Sequence, residues 1–159
     1  MKLLGILLVV ASGLGAGLWS AVRLRRRADL LLELKVLLQS LQTGIRYSSQ
    51  SLSELILDRL EFRLCKGAER SELFLWDPVK ALEQAGRDLL EDPGDWAWFQ
   101  GFTQGLGVSD TQGQLDHIAL YQSLLEPRLA QAREEARQKT RVRVALGLFA
   151  GVSLGLLLW

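Results

Sequence analysis

The hydrophobic pattern changes character along the chain. Leu3 to Val22 carries no charged side chain. At about 20 residues and ~1.5 Å of rise per residue, a helix there spans ~30 Å, the hydrocarbon thickness of a bilayer. The pattern predicts a transmembrane helix over residues 3–22. A cleaved signal peptide is the rival reading, since Lys2 suits its basic start and Ala11 to Ala21 is rich in small residues. Arg23, Arg25, Arg26 and Arg27 follow at once and resist translocation of what comes after, which favours a retained anchor. From Ala28 the pattern turns amphipathic. Leu30, Leu31, Leu34, Leu37, Leu38, Leu41 and Ile45 recur at three- and four-residue spacing, one apolar stripe of a helix that ends near Tyr47.

Three further helix starts follow. Ser51-x-x-Glu54 is a capping box, and the next helix carries Leu52, Leu55, Ile56, Leu60 and Leu64 up to a stop at Gly67. Asp77-Pro78 and Asp92-Pro93 each pair a capping carboxylate with a first-turn proline, whose missing N–H would be unbonded there anyway. The first of these helices carries Val79, Leu82 and Leu89, with Gly86 as a weak point. In the second, Trp96, Phe99 and Phe102 have helical spacing and face inward. Trp98 is off that stripe, either at a rim or available to a partner.

The chain is organised around the stretch that closes this helix. Gly105 and Gly107 end it, and Gly107 is expected at positive φ. Ser109 then caps the next helix, with Gln112 reaching back to complete a capping box and Asp110 as a substitute cap. Beyond it Leu115, Ile118, Gln122, Leu125, Leu129, Ala132 and Ala136 form a heptad seam, interrupted by a kink-forming Pro127. Val144 to Trp159 is again apolar and predicts a second, short transmembrane helix over 144–159, with Arg141 and Arg143 snorkelling and Trp159 at the far interface. The fold class is therefore all-α: a helical bundle domain over 23–143 between an N-terminal and a C-terminal transmembrane helix.

Composition narrows the chemistry. The chain has 159 residues, one domain plus anchors, and a formal charge of +1, which argues against a nucleic-acid binder driven by bulk charge. Cys65 is its one cysteine and His117 its one histidine, so neither an intrachain disulfide nor a cysteine or histidine metal cluster is expected. There is no Gly-x-x-x-x-Gly-Lys-Ser/Thr phosphate loop, and Gly101, Gly105 and Gly107 do not form a dinucleotide fingerprint. No catalytic constellation, cofactor or metal site emerges. Gly13-x-x-x-Gly17 and Gly147-x-x-x-Gly151-x-x-x-Gly155 place small residues four apart, candidate grooves for membrane-helix packing within one chain or between chains.

Leu106-Gly107-x-Ser109-Asp110-x-x-Gly113-Gln114-x-x-His117-Ile118, a later Glu/Ala/Arg-rich run, and Leu146-Gly147-x-x-Ala150-Gly151 before a leucine tail resemble the stage III sporulation protein AB family of endospore-forming bacteria. That family is similar to the inner-membrane platform proteins of type II secretion and type IV pilus machines. The resemblance implies a non-enzymatic scaffold in the channel complex between mother cell and forespore. It would couple a cytoplasmic secretion-type ATPase of the same sporulation operon to membrane components. Such a platform would self-associate, since secretion platforms carry two helical domains of this kind and this chain carries one. The candidate turn and docking corner is Gly105, Gly107, Ser109, Asp110, Gln114 and His117. A membrane-anchored helical regulator or sensor is the alternative. A pocket with convergent polar groups would favour it, and a flat corner would favour the scaffold.

The charge pattern also predicts orientation. Arg23, Arg25, Arg26 and Arg27 follow the first apolar segment, and Arg137, Lys139, Arg141 and Arg143 precede the second. Basic residues accumulate on the cytoplasmic side. The central domain is therefore expected in the cytoplasm, of the mother cell by resemblance, with both termini across the cell membrane.

Overall fold

A computed structural model of the protein describes the backbone of residues 2–48 and 50–157, and the side chains of residues 22–48, 50–138 and 142. The described residues are helices joined by turns: α1 (Lys2–Tyr47), α2 (Leu52–Leu57), α3 (Arg63–Glu69), α4 (Pro78–Leu89), α5 (Pro93–Gly105) and α6 (Thr111–Leu157). They divide into two compact units, one of Met1–Asp29 with Ala130–Trp159 and one of Leu30–Leu129.

In the first unit, α1 and α6 are tied by Arg27 Nη1 and Glu135 Oε2 at 3.2 Å. The apolar segments at 3–22 and 144–159, apart from Val22, and the glycines Gly13, Gly17, Gly147, Gly151 and Gly155 lie outside the residues whose side chains are described. Among the described residues no helix is long and apolar enough to cross a membrane.

The second unit holds the core. The leucine stripe of α1 is buried at Leu30, Leu31, Leu34, Leu37, Leu38 and Leu41, as expected. On α6, Leu115, Ile118, Leu125, Leu129 and, beyond this unit, Ala132 are buried, while Gln122 and Ala136 are half-buried. The two helices run antiparallel here: Lys35 pairs with Glu126, and Gln122 Nε2 donates to Gln42 Oε1 at 3.3 Å. α5 is antiparallel to α6, with Asp95 near Arg128 at one end and Gly105 against His117 at the other. α4 is antiparallel to α5, since Gly86 faces Phe99 and Glu83 meets Gln100. The turn before α4 and the turn after α5 thus share one end of this unit.

The caps explain where the short helices begin. Ser51 Oγ accepts from the Glu54 N–H at 3.3 Å, and Glu54 Oε2 accepts from the Ser51 N–H at 2.7 Å, a complete capping box. Asp77 Oδ1 accepts from the Lys80 N–H at 2.9 Å, and Asp92 Oδ1 from the Asp95 N–H at 3.0 Å. Each cap satisfies a backbone donor that has no partner inside the helix. The Lys80 N–H, and then the Lys80 side chain, hold the Asp77 carboxyl below its ordinary range.

Three expectations need correction. The helix drawn from Ser51 to Gly67 is two helices, α2 and α3, separated by a turn over 58–62, and Gly67 lies inside α3. The leucine spacing across 52–64 is helical, but the burial is not continuous: Leu57 and Leu60 are exposed while Leu64 is fully buried. The glutamate pair at Arg63 accounts for the new start, since Glu33 accepts from the Arg63 N–H at 3.1 Å and from Arg63 Nε at 3.0 Å. Gly86 is not a weak point. It is buried in α4 with the Phe99 ring packed where a side chain would be. Trp98 is neither at a rim nor free for a partner: it is 5% exposed, and Trp96 is the half-exposed member. The reason is that α5 is covered on two sides, by α4 and by α6, so its buried arc is wider than a three-residue stripe. Trp98 stacks on Phe102 with ring centres 6.2 Å apart and lies 5.9 Å from Tyr121 of α6. Trp96 instead carries the Arg87 guanidinium 5.4 Å over its ring.

Candidate functional site

The α5–α6 corner brings all the residues of the proposed docking corner together. Gly107 has a φ of +75°, the left-handed region that glycine enters without steric cost. This reverses the chain between α5 and α6. Gln114, on the first turn of α6, then bonds back across the reversal. Its Oε1 accepts from the Gly107 N–H at 2.9 Å. Its Nε2 donates to the Gly105 carbonyl at 3.1 Å and to Ser109 Oγ at 3.1 Å. Gln114 is only 7% exposed, so these bonds form where leaving them unmade would be costly. One amide therefore supplies the partners that backbone groups of the turn lack.

The cap of α6 differs from the expected one. Asp110, not Ser109, caps the helix: Asp110 Oδ1 accepts from the Gly113 N–H at 3.0 Å, and the Asp110 carbonyl accepts from the Gln114 N–H at 2.9 Å. Ser109 Oγ is held by the Gln114 side chain instead. Gln112 does not reach back to close a capping box; its Nε2 donates to Asp116 Oδ1 at 2.8 Å, one helical turn on. The two candidate caps were adjacent in sequence, and the αL turn at Gly107 decided which one stands at the helix end.

His117 lies directly under Gly105. A side chain at Gly105 would occupy the space of the imidazole, so this glycine permits the approach of α5 to α6. His117 Nε2 is 2.8 Å from the Phe102 carbonyl. A carbonyl only accepts, so Nε2 carries the proton and donates. The ring stacks on Phe102 at 5.8 Å and meets Tyr121 at 4.7 Å. The polar groups of this corner are thus largely engaged with one another. No group of three or more His, Cys, Asp or Glu side chains among the described residues is arranged to hold a metal ion. Cys65 is fully buried, and burial, followed by the nearby Glu61 charge, pushes its thiol up to about 12, which leaves it unreactive as a nucleophile near neutrality.

Sequence reasoning missed two features. Asp95 is fully buried and lies 3.4 Å from Arg128 Nη1. In sequence Asp95 reads as a first-turn acid that complements the helix dipole, and nothing near it points to Arg128. The second is the stretch from Ser71 to Trp76. Successive tight turns close it, through Ser71 N–H to Ala68 O, Phe74 N–H to Ser71 O and Trp76 N–H to Leu73 O, each at 3.0 Å. Phe74 is buried beneath it, yet Leu75 and Trp76 are each 87% exposed.

The family model for stage III sporulation protein AB matches residues 2–159, essentially the whole chain. The protein belongs to the stage III sporulation protein AB family. The Leu106–Ile118 motif that first suggested the family is the corner just described, so its fixed spacing has a structural meaning: a left-handed glycine, a helix cap, a bridging glutamine and a histidine seated under a glycine. No curated protein and no solved structure matches the chain.

Proposed function

We propose that the chain is a non-enzymatic membrane platform in the channel complex between mother cell and forespore. On this reading residues 3–22 and 144–159 are membrane helices, and residues 23–143 form a cytoplasmic helical domain that a secretion-type ATPase of the same operon reaches. Family membership supplies the sporulation setting. The observation that carries the scaffold reading over the sensor alternative is the closure of the α5–α6 corner. Gln114, His117 and Asp110 are turned onto backbone groups of the corner itself, and not toward a common point where a small ligand would sit. A corner braced in this way transmits force and position, which a coupling platform needs. The basic collars on either side of the central domain support its cytoplasmic placement.

The test is cross-linked co-purification of the full chain from sporulating cells, read for the ATPase. Recovery of the ATPase with the wild-type chain, and its loss with a Gln114→Leu variant that still reaches the membrane fraction, is the expected result. Recovery of the channel components without the ATPase would overturn the coupling role. Topology is checked with single cysteines in a Cys65→Ser background. An impermeant maleimide should label a cysteine placed after Trp159 in intact cells and should miss one at Ser71.

A further inference from the structure

A cleft of about 500 Å³ opens between α3 and α4, away from the corner. One wall is Arg63 and Lys66, one turn apart on α3, and Arg70, the residue that caps its C-terminal end. The other wall includes Gln84, Asp88 and Leu89 of α4. The Glu33 carboxylate already holds Arg63. Lys66 and Arg70 are exposed and form no ion pair among the described residues. Ser71 closes one end by donating from Oγ to Gln84 Oε1 at 2.9 Å. Immediately beyond Ser71 lies the braced turn that displays Leu75 and Trp76.

We propose that this cleft binds an acidic segment of a partner protein, its carboxylates on Lys66 and Arg70, with Leu75 and Trp76 packing on an apolar side chain beside it. Charge complementarity selects an acidic occupant. The Asp88 carboxylate on the facing wall repels a uniformly anionic surface and suits a peptide, whose backbone N–H groups can donate to it between its own carboxylates. The volume suits a short stretch of chain. Tryptophan is the residue most often dominant in protein interfaces, and a turn already ordered before binding loses little entropy when it docks. The inference goes beyond the platform reading, since it names a surface and a chemistry whichever protein supplies the segment.

The experiment uses the full chain in phosphatidylcholine nanodiscs and a short fluorescein-labelled peptide of glutamates with a central leucine. Anisotropy should show saturable binding that weakens with salt. The double change Lys66→Glu with Arg70→Glu should weaken it by about tenfold or more. Trp76→Ala should weaken it severalfold while keeping the salt dependence, and Arg46→Glu, outside the cleft, should leave it unchanged. Equal binding of a lysine peptide, or equal loss in Arg46→Glu, overturns the proposal. Displacement of the peptide by phosphatidylglycerol vesicles, with vesicle binding lost in the same double variant, overturns it in favour of a lipid surface.

Discussion

The α5–α6 corner and the α2–α4 stretch are built on opposite terms. At the corner, long helices meet through one glutamine, one histidine and two glycines, and polar groups are turned inward. Across 52–76 the helices are short, the turns are tight, and the chain leaves Leu57, Leu60, Leu73, Leu75 and Trp76 at the surface. The first region gains stability by satisfying its own hydrogen bonds. The second keeps apolar side chains at the surface, and there Lys66 and Arg70 form no ion pair among the described residues, which is the surface the proposed contact uses. The family motif lies in the first region, so the most recognisable sequence in this chain marks a joint, and the proposed contact surface lies elsewhere.

The comparison is broken most directly at Gly105. Gly105→Val places a branched side chain in the space of the His117 imidazole and should cost about 3 kcal/mol, near the top of the range for overpacking. Denaturant titration of the full chain in detergent, followed by tryptophan fluorescence, reads it. An unchanged midpoint would mean that the corner yields easily and is not a brace.

Gln114→Leu keeps the volume and removes the bonds to Gly107, Gly105 and Ser109. A loss of about 2 kcal/mol is expected, because buried backbone groups of the turn are left without partners. Amide hydrogen exchange at Gly107 should rise in this variant before exchange in α4 does. Equal acceleration at Gly107 and in α4 would show that Gln114 supports the whole unit and not the corner.

The corrected cap makes a sharper test. Asp110→Ala should cost about 1 kcal/mol, whereas Ser109→Ala should cost less, since Ser109 Oγ meets the Gln114 side chain and the Asp110 carbonyl and caps no helix N–H. A larger loss from Ser109→Ala would restore the sequence-based assignment of the cap.

Asp77 offers the matching test in the other region. Its carboxyl is held below its ordinary range by the Lys80 N–H, so the folded state binds its proton more weakly than the unfolded chain does. The stabilisation is present above the unfolded value of about 4 and is lost as pH falls through the lowered folded value. Asp77→Ala should therefore lower stability by roughly 0.5–1 kcal/mol at neutral pH, and the gap from wild type should close on acidification. A gap that stays constant with pH would assign the effect to packing.

Smallest of all should be the effect of Leu75→Ser with Trp76→Ser. Both side chains are 87% exposed, so stability should stay within about 0.5 kcal/mol of wild type. A loss above 1 kcal/mol would mean that the turn supports the fold, and the contrast between the two regions would fail.

What the sequence alone determined was local. The leucine spacing of α1, the starts at Ser51, Asp77 and Asp92, and the positive φ at Gly107 depend on residues within a few positions of one another, where periodicity and capping chemistry act. The family was legible for the same reason, because its motif is a local turn and cap. Tertiary structure decided the rest. Whether Trp98 faced inward depended on α6 covering a second side of α5. The break between α2 and α3 depended on Glu33, a residue of another helix, binding the start of α3. The partner of buried Asp95 is Arg128, and the floor beneath Gly105 is His117. Each of these pairs joins residues of different helices, which are near one another only after those helices have docked. Spacing along a single helix records which face is apolar. It does not record how many neighbours will cover that face, and at α5 that number set both the core and the corner.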